Sequence, residues 1–289
     1  MLQKMKKNSF TYLLILPTLL YLAVFQIYPI FDSLRLSFTN LSFLKPNSGQ
    51  FVGLKNYIGL FQDPNFTLLL RNSLLWVIGS TIFQYLVAVP VSLVLNQKLA
   101  ARGFWRGLMM VPWVTPTVIM GLIWQWIYDG DHGFLNQLIG THIVWLGNSM
   151  TVWPALLLAS TWKGLPYATL MFLSGLQGIP NELYEAGYVD GCSAWQRFRY
   201  ITVPLLKPVI FVTALTSIVQ TWTKFEMIWV LTGGGPGYAT STFPTYIYSK
   251  SFIMYDMGGG SAVSVISMLF MLVFIVIYLR VYKNNMAEA

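Results

Sequence analysis

The residues best suited to binding chemistry form a polar stripe inside an apolar stretch near residue 215. Its members are separated by four, three and four residues, which puts them on one face of a helix. The stripe consists of Thr213, Ser217, Gln220 and Lys224, with Thr216 and Thr223 beside it. These hydroxyl, amide and ammonium groups form hydrogen bonds with polar solutes.

Two interpretations of this stripe stay open. One is a wet wall along the path of a polar solute, and the other is a set of hydrogen bonds between membrane helices. A charged residue near mid-membrane costs about 2.5–3.5 kcal/mol on insertion scales, so it faces protein or water. Lys224 and Glu226 lie nearer the end of the stretch and, two residues apart, do not share a face. Six polar residues exceed the needs of one helix contact, which favours the path.

A second group of chemically useful residues lies in a charged insert between two apolar stretches. Proline and asparagine at 180–181 indicate a helix start, and we expect a short helix from Glu182 to about Val189, ending at Gly191. Ser193, followed three residues later by Gln196, fits a capping box for a second helix.

Two prolines close this insert. Pro204 and Pro208 are expected to mark the turn into the membrane. The insert is then a rigid polar surface element, or else an ordinary interfacial loop. Its apolar side chains are available for docking: Leu183, Val189, Trp195 and Phe198. Its charged side chains are available for ionic contacts: Glu185, Asp190, Arg197 and Arg199.

Residue types for metal or nucleophilic catalysis are sparse. Two histidines ten residues apart and one cysteine do not form a metal-ligand pattern, and no cofactor is predicted. The glycine-rich run 233–237 lacks the Lys and Ser/Thr of a phosphate loop, so a turn is expected there. If nucleotide energy is used, another chain has to supply it.

Composition shows which elements must position these groups. Of 289 residues, 55% are hydrophobic and only 10% charged, where soluble domains carry about a quarter. The net charge of +8 is spread between apolar runs, which favours membrane orientation over nucleic-acid binding. We expect an all-α membrane protein forming one domain over residues 1–289. Six apolar stretches are predicted to span the bilayer: 12–31, 74–95, 108–127, 152–173, 209–231 and 262–282.

Lysine and arginine positions predict the orientation. With the N-terminus inside the cell, the inner segments hold eleven of these residues and the outer segments five. This distribution predicts that both termini are cytoplasmic and that the insert, about 176–206, lies on the cytoplasmic side. The first span is expected to be a retained signal-anchor.

Three smaller features carry local predictions. Pro112 and Pro116 are expected to kink the third span, with neighbouring threonine hydroxyls satisfying freed carbonyls. Residues 52–61 have the spacing of a surface-lying helix in the first outer loop. At the start of the sixth span, small residues at Gly260 and Ser264 predict close helix packing.

The insert resembles the "EAA" loop of permease subunits in binding-protein-dependent ABC importers. The matching residues are Glu185, Ala186, Gly187, Asp190, Gly191, Cys192, Phe198, Ile201, Pro204 and Pro208, with Gly187 and Cys192 where alanine is usual. The runs 231–237 and 246–248 resemble the carbohydrate-uptake branch, which takes up oligosaccharides and glycerol phosphate. The resemblance covers essentially the whole chain and implies the six-helix type I importer permease fold.

The resemblance also implies a set of partners. They are a second, related permease, two ATP-binding subunits and an external solute-binding protein, all assembled in a bacterial plasma or inner membrane. In such an importer the insert docks on an ATPase subunit. Glu185 pairs with a basic residue of that subunit, and Gly191 permits the turn after the first helix of the insert. Arg197, Phe198 and Pro204 belong to the same contact. The chain itself would be non-catalytic.

Two alternatives to this interpretation exist. A permease of the same superfamily could carry a non-carbohydrate solute, and the sequence does not identify the solute. A self-contained secondary transporter typically shows paired discontinuous spans and buried acids. Among the predicted spans only Glu226 is acidic, and no internal duplication is visible.

Overall fold

The protein is described from a computed structural model that covers residues 13–287, with side chains described through residue 284. The predicted start of the first span at residue 12 and the expected cytoplasmic location of both chain ends concern residues outside this range. Within it the chain is helical and contains no strand. The all-α prediction is therefore confirmed for this part of the chain.

Twelve helices occur within the described residues. In chain order they are α1 Leu13–Ser37, α2 Lys55–Gln62, α3 Phe66–Asn96, α4 Arg102–Val114, α5 Thr117–Ile127, α6 Phe134–Ile139, α7 Val152–Gln177, α8 Asn181–Val189, α9 Ala194–Thr223, α10 Glu226–Thr232, α11 Phe243–Tyr248, which continues as a π-turn over Ser249–Ile253, and α12 Met257–Ala287.

Four of these helices, α1, α3, α9 and α12, are long and apolar enough to cross a membrane. The pair α4 and α5 makes a fifth span if its two parts are counted together. Helix α7 is 26 residues long but falls outside this set. Lys163 and Pro166 in its middle reduce its apolar character. The predicted count of six spans thus stays a prediction.

Two predicted spans differ from the structure. The third is not one kinked helix: α4 ends at Val114, α5 begins at Thr117, and the two are bent by 95°. Pro116 lacks an N–H group and adopts an extended conformation, so the helix stops there. The fifth was predicted over 209–231, but α9 ends at Thr223 and a separate helix, α10, follows.

The predicted turn at Pro204 and Pro208 is also wrong. Helix α9 runs without interruption from Ala194 through both prolines to Thr223. A π-turn over Phe198–Thr202 precedes the first proline, and the Val203 N–H donates to the carbonyl of Phe198, five residues back. This wider turn accommodates the missing proline donor without ending the helix.

Chain contacts divide the described residues into two compact units, and the single-domain expectation stays a prediction. The first unit comprises residues up to 66 and 246–269. There the Asn56 amide donates to the carbonyls of Ser37 and Thr39 at 2.8 and 2.7 Å. Helix α2 confirms the surface helix predicted near 52–61.

The small residues at the start of α12 have a role within this first unit. A Cβ atom on Gly258 would lie 2.0 Å from the backbone oxygen of Thr39. Only glycine allows the first loop to approach the helix this closely. The close contact predicted for this run therefore includes a loop backbone.

The second unit comprises residues 67–245 and from 270 onwards. Its largest core cluster joins α3, α5, α7 and α10, and includes Trp76, Met120, Leu156 and Ile228, all nearly inaccessible to solvent. The Tyr128 hydroxyl just beyond α5 donates to the Ala155 carbonyl of α7 at 2.8 Å. This packing holds α5 and α10 beside the polar stripe of α9.

Candidate functional site

A polar cavity lies among the helices of the second unit, with a volume of about 130 Å³. About 10–15 Å³ is enough to hold one water molecule, so the cavity has room for several. It is lined by Gln84, Trp113, Thr117, Lys163, Gly164, Tyr167, Ser217, Gln220, Thr221, Lys224 and Met227. Polar and aromatic side chains together suit a hydroxyl-bearing solute.

The predicted polar stripe divides between this cavity and the surrounding packing. Ser217, Gln220 and Lys224 line the cavity. Thr216 instead contacts the Tyr167 hydroxyl at 2.8 Å and donates to carbonyls of its own helix. Thr213 is fully buried and is not a lining residue. The structure therefore places three members of the stripe at a cavity and two in helix packing, and both interpretations stay open.

Thr223, which lies beside the stripe, is exposed, and its hydroxyl oxygen lies 3.1 Å from the Gln220 carbonyl oxygen. It ends α9 beside Lys224, whose extended backbone separates α9 from α10. Helix α10 then packs on α5, where the Gln125 amide donates to the Val230 carbonyl. The break at Lys224 thus turns the chain along the cavity.

Two helix breaks lie at this cavity, one between α4 and α5 and the other between α9 and α10. Trp113 and Thr117 flank the first break, and Lys224 occupies the second. Irregular backbone at membrane depth is tolerated where protein or a water-filled cavity supplies hydrogen-bond partners. The polar cavity therefore accounts for the position of both breaks.

Sequence reasoning missed Lys163, which lines the cavity from the middle of α7. Its ammonium donates to the carbonyls of Pro112 and Trp113 at 3.1 Å, and to that of Thr115. A lone lysine inside an apolar stretch was the available signal, because such residues face protein or water. The amide of Gln84 from α3 donates to the carbonyl of Gly164, the next residue.

The charged insert folds as predicted in its first half. Helix α8 begins directly after Pro180, and Gly191 beyond its end has a positive φ of 75°. The capping box between Ser193 and Gln196 is present in both directions. The insert therefore consists of α8 and the first turns of α9, joined by a tight connection.

Several contacts fix α8 against α9. The Tyr184 and Thr202 hydroxyls lie 3.0 Å apart. A Cβ atom on Gly187 would lie 3.1 Å from the Ile201 methyl group, so the two helices are nearly in contact there. Arg197 donates to the Cys192 carbonyl, and its guanidinium carbon lies 5.3 Å from the centre of the Tyr188 ring. Arg197 was expected to be available to a partner, but it is engaged within the insert.

The outer surface of the insert is unusually apolar for a charged loop. Tyr188, Val189 and Trp195 are 74, 85 and 70% exposed. Glu185, Ala186 and Asp190 are exposed beside them, while Phe198 is half-buried and Pro204 exposed. Large exposed apolar side chains in a polar rim are typical of a protein-binding surface.

Residues 84–285 match the family model described as the binding-protein-dependent transport system inner membrane component. The chain belongs to this family. It is therefore a permease component of an inner membrane, in agreement with its apolar helices and with the resemblance found in the insert.

Two relatives extend the similarity beyond the matched segment. The chain is 33% identical over 283 residues to the trehalose/maltose transport system permease protein MalF of Thermococcus litoralis, covering 96% of this chain and 95% of that protein. It is 30% identical over 277 residues to the sulfoquinovosyl glycerol transport system permease protein SmoG of Agrobacterium fabrum, covering 94% and 90%.

The fold of this permease has a counterpart among solved structures. A bacterial ABC transporter involved in importing the acidic polysaccharide alginate contains a chain that superposes with a TM-score of 0.84 at 20% identity, covering 98% of both chains. At that identity the likeness establishes the fold. The chain thus has the fold of ABC importer permeases.

Proposed function

We propose that this permease forms half of the path of an ATP-driven importer and carries a sugar, oligosaccharide or related polyol. The cavity beside α9 is part of that path, and the insert of α8 and α9 is the contact with an ATPase subunit. A second permease, two ATP-binding subunits and an external binding protein complete the assembly.

The exposed apolar surface of the insert is the observation that carries this proposal. Water-exposed Val189 and Trp195 are unfavourable unless a partner covers them, since burying such side chains contributes about 1.5–3 kcal/mol each. Glu185 lies in the same exposed region and supplies a charge for a basic groove. An ATPase subunit is the partner that the family relationship supports.

The unbroken helix α9 supports a coupling role. It begins in the insert at Ala194 and carries Gln220 at the cavity. A displacement of the insert is therefore transmitted along one helix to the side chains that line the path. The contacts of α8 with α9 make the insert move as one body with the start of this helix.

The solute class follows from the cavity lining and from the relatives. Trp113 and Tyr167 offer flat apolar faces to a sugar ring, and Gln84 and Gln220 offer amide groups to hydroxyls. Permeases named for trehalose/maltose and for sulfoquinovosyl glycerol are among the relatives. A polyhydroxylated solute fits both observations.

Charge reversal in the insert tests the proposal. We expect Glu185→Lys to abolish uptake of the labelled cognate sugar by the complete importer in proteoliposomes, while the permease still inserts at the wild-type level. Glu182→Lys is the matched control, because Glu182 is also exposed and lies one turn earlier in α8.

The two variants together separate the specific role from a general charge effect. Uptake should persist in the control and fail in Glu185→Lys, and co-purification of the ATPase should fall in parallel. Wild-type uptake by Glu185→Lys at matched expression would contradict the ATPase contact.

A further inference from the structure

Lys163 is an unexpected charge inside a mostly apolar helix of the second unit. It is the twelfth residue of the 26-residue helix α7. An ammonium group there has to be solvated by protein or water. Its three donors are matched by three backbone carbonyls, those of Pro112, Trp113 and Thr115.

These carbonyls lie at the break between α4 and α5. The last carbonyls of a helix lack partners within it, and an orphan carbonyl is costly inside a membrane. Val111 is satisfied locally, because both the N–H and the hydroxyl of Thr115 donate to it at 3.1 and 2.7 Å. Lys163 supplies donors for the two carbonyls that follow Val111.

The ammonium charge also suits this position. Carbonyl groups at the C-terminus of a helix carry the negative end of the helix dipole, so a cation there is stabilising. Pro116 cannot donate and ends the helical pattern, but it does not determine the direction that α5 takes afterwards. The bond from Lys163 to the carbonyl of Thr115, the residue directly after α4, holds the chain at the start of that direction.

We propose that Lys163 is a positioning residue that holds the break between α4 and α5 at its right angle. By doing so it places Trp113 and Thr117 at the wall of the cavity. The consequence for transport rests on the proposed function, whereas the geometric role does not.

The bend gives a measurable distance. Phe104 on α4 and Ile123 on α5 are exposed at 64 and 43%, and both accept a label without disturbing the core. At 1.5 Å per residue, a straight helix would separate their backbones by about 28 Å, whereas two arms at 95° bring them to about 20 Å. A difference of about 8 Å is well resolved by pulsed electron spin resonance.

The experiment uses full-length permease with Cys192→Ser, Phe104→Cys and Ile123→Cys, spin-labelled in nanodiscs. We expect Lys163→Met to shift the distribution from about 20 Å towards 28 Å and to broaden it. Lys163→Arg, which keeps a charged donor, should remain close to the parent distance. Lys163→Gln keeps an uncharged donor, so its distance should lie between those of the methionine and arginine variants. It replaces Lys163→Met in the experiment if the methionine variant does not fold.

Lys224→Met is the matched control, because Lys224 is a second lysine that lines the same cavity but lies directly after α9. Its distance distribution should equal that of the parent. An unchanged distribution in both Lys163→Met and Lys163→Gln, with normal helix content, would overturn the proposal.

Transport by the reconstituted importer gives the second readout. Lys163→Met should lower the maximal uptake rate at least tenfold with a nearly unchanged half-saturating concentration, because the binding protein still captures the solute. Rescue by Lys163→Arg is expected. A shifted distance with unchanged uptake would overturn the link between the break and the path. Failure of the parent complex to transport any sugar would count against the proposed function, and the distance result would remain.

Discussion

Replacing Gly187 by alanine tests how tightly α8 packs on α9. Glycine in a helix interior costs about 0.5–1 kcal/mol relative to alanine, so the substitution favours α8 on this account. Against this, the new Cβ atom would lie 3.1 Å from the Ile201 Cδ1 atom and 3.5 Å from the Arg197 Cγ atom. The nearer atom is the end of a flexible side chain and has to move by only a few tenths of an ångström.

We therefore expect the gain in helix propensity to exceed the crowding. Local opening of α8 should become harder by about 0.5–1 kcal/mol, which slows amide hydrogen exchange by about two- to fivefold. Gly187→Val adds two further methyl groups to the same contact. Overpacking costs about 1–3 kcal/mol, so exchange should accelerate by about five- to 150-fold.

Hydrogen exchange followed by mass spectrometry over residues 181–192 measures both effects in nanodiscs. Gly59→Ala in α2 is the control, because no atom outside its own helix lies within 4 Å of a Cβ atom there. In this control, hydrogen exchange is followed over α2, residues 55–62, and should slow through helix propensity alone. If Gly187→Ala instead accelerates exchange more than tenfold while the control slows it, the packing argument fails and the contact requires glycine.

Four further substitutions follow from contacts in the two units. Gly258→Ala should make the loop that contains Thr39 much more sensitive to protease, because its methyl group would overlap the Thr39 backbone oxygen at 2.0 Å. Burial alone raises the pKa of Asp63, but hydrogen bonds from Tyr246 and a nearby amide outweigh it and lower the pKa below 3.8. Ionised Asp63 therefore stabilises the folded state above pH 3.8, and this stabilisation is lost as the pH falls through the lower pKa of the folded state. In Asp63→Asn, the melting temperature should therefore depend less on pH between pH 6 and pH 3 than it does in the wild type. Gln220→Ala should weaken the apparent affinity of uptake by about two- to tenfold through loss of one hydrogen bond, whereas Thr216→Ala should leave it unchanged and lower only thermal stability.

Much of the insert could be predicted because its signals are local. Pro180, the positive φ at Gly191 and the pairing of Ser193 with Gln196 each act within a few residues, and all appear where the sequence indicates them. The expectation at Pro204 was wrong because a π-turn directly upstream accommodates its missing donor, and α9 also continues through Pro208. That turn depends on backbone geometry which no residue in the sequence signals.

The site was harder to predict because its parts come from separate helices. Periodicity placed Ser217, Gln220 and Lys224 on one face, but could not distinguish the residues that line the cavity from Thr216, which bonds Tyr167 49 residues away. Lys163 was missed because its partners lie about 50 residues earlier in the chain. A carbonyl cluster at a helix break becomes apparent only in three dimensions.

The length of α9 sets the scale of the proposed coupling. From Ala194 to Gln220 a helix extends about 39 Å at 1.5 Å per residue. A tilt of about 5° in a rod of that length moves its far end by about 3 Å, which equals a full hydrogen-bond distance. In the proposed coupling, a displacement of the insert by an ATPase would therefore need to be only this small to make or break hydrogen bonds between a solute and Ser217 or Gln220.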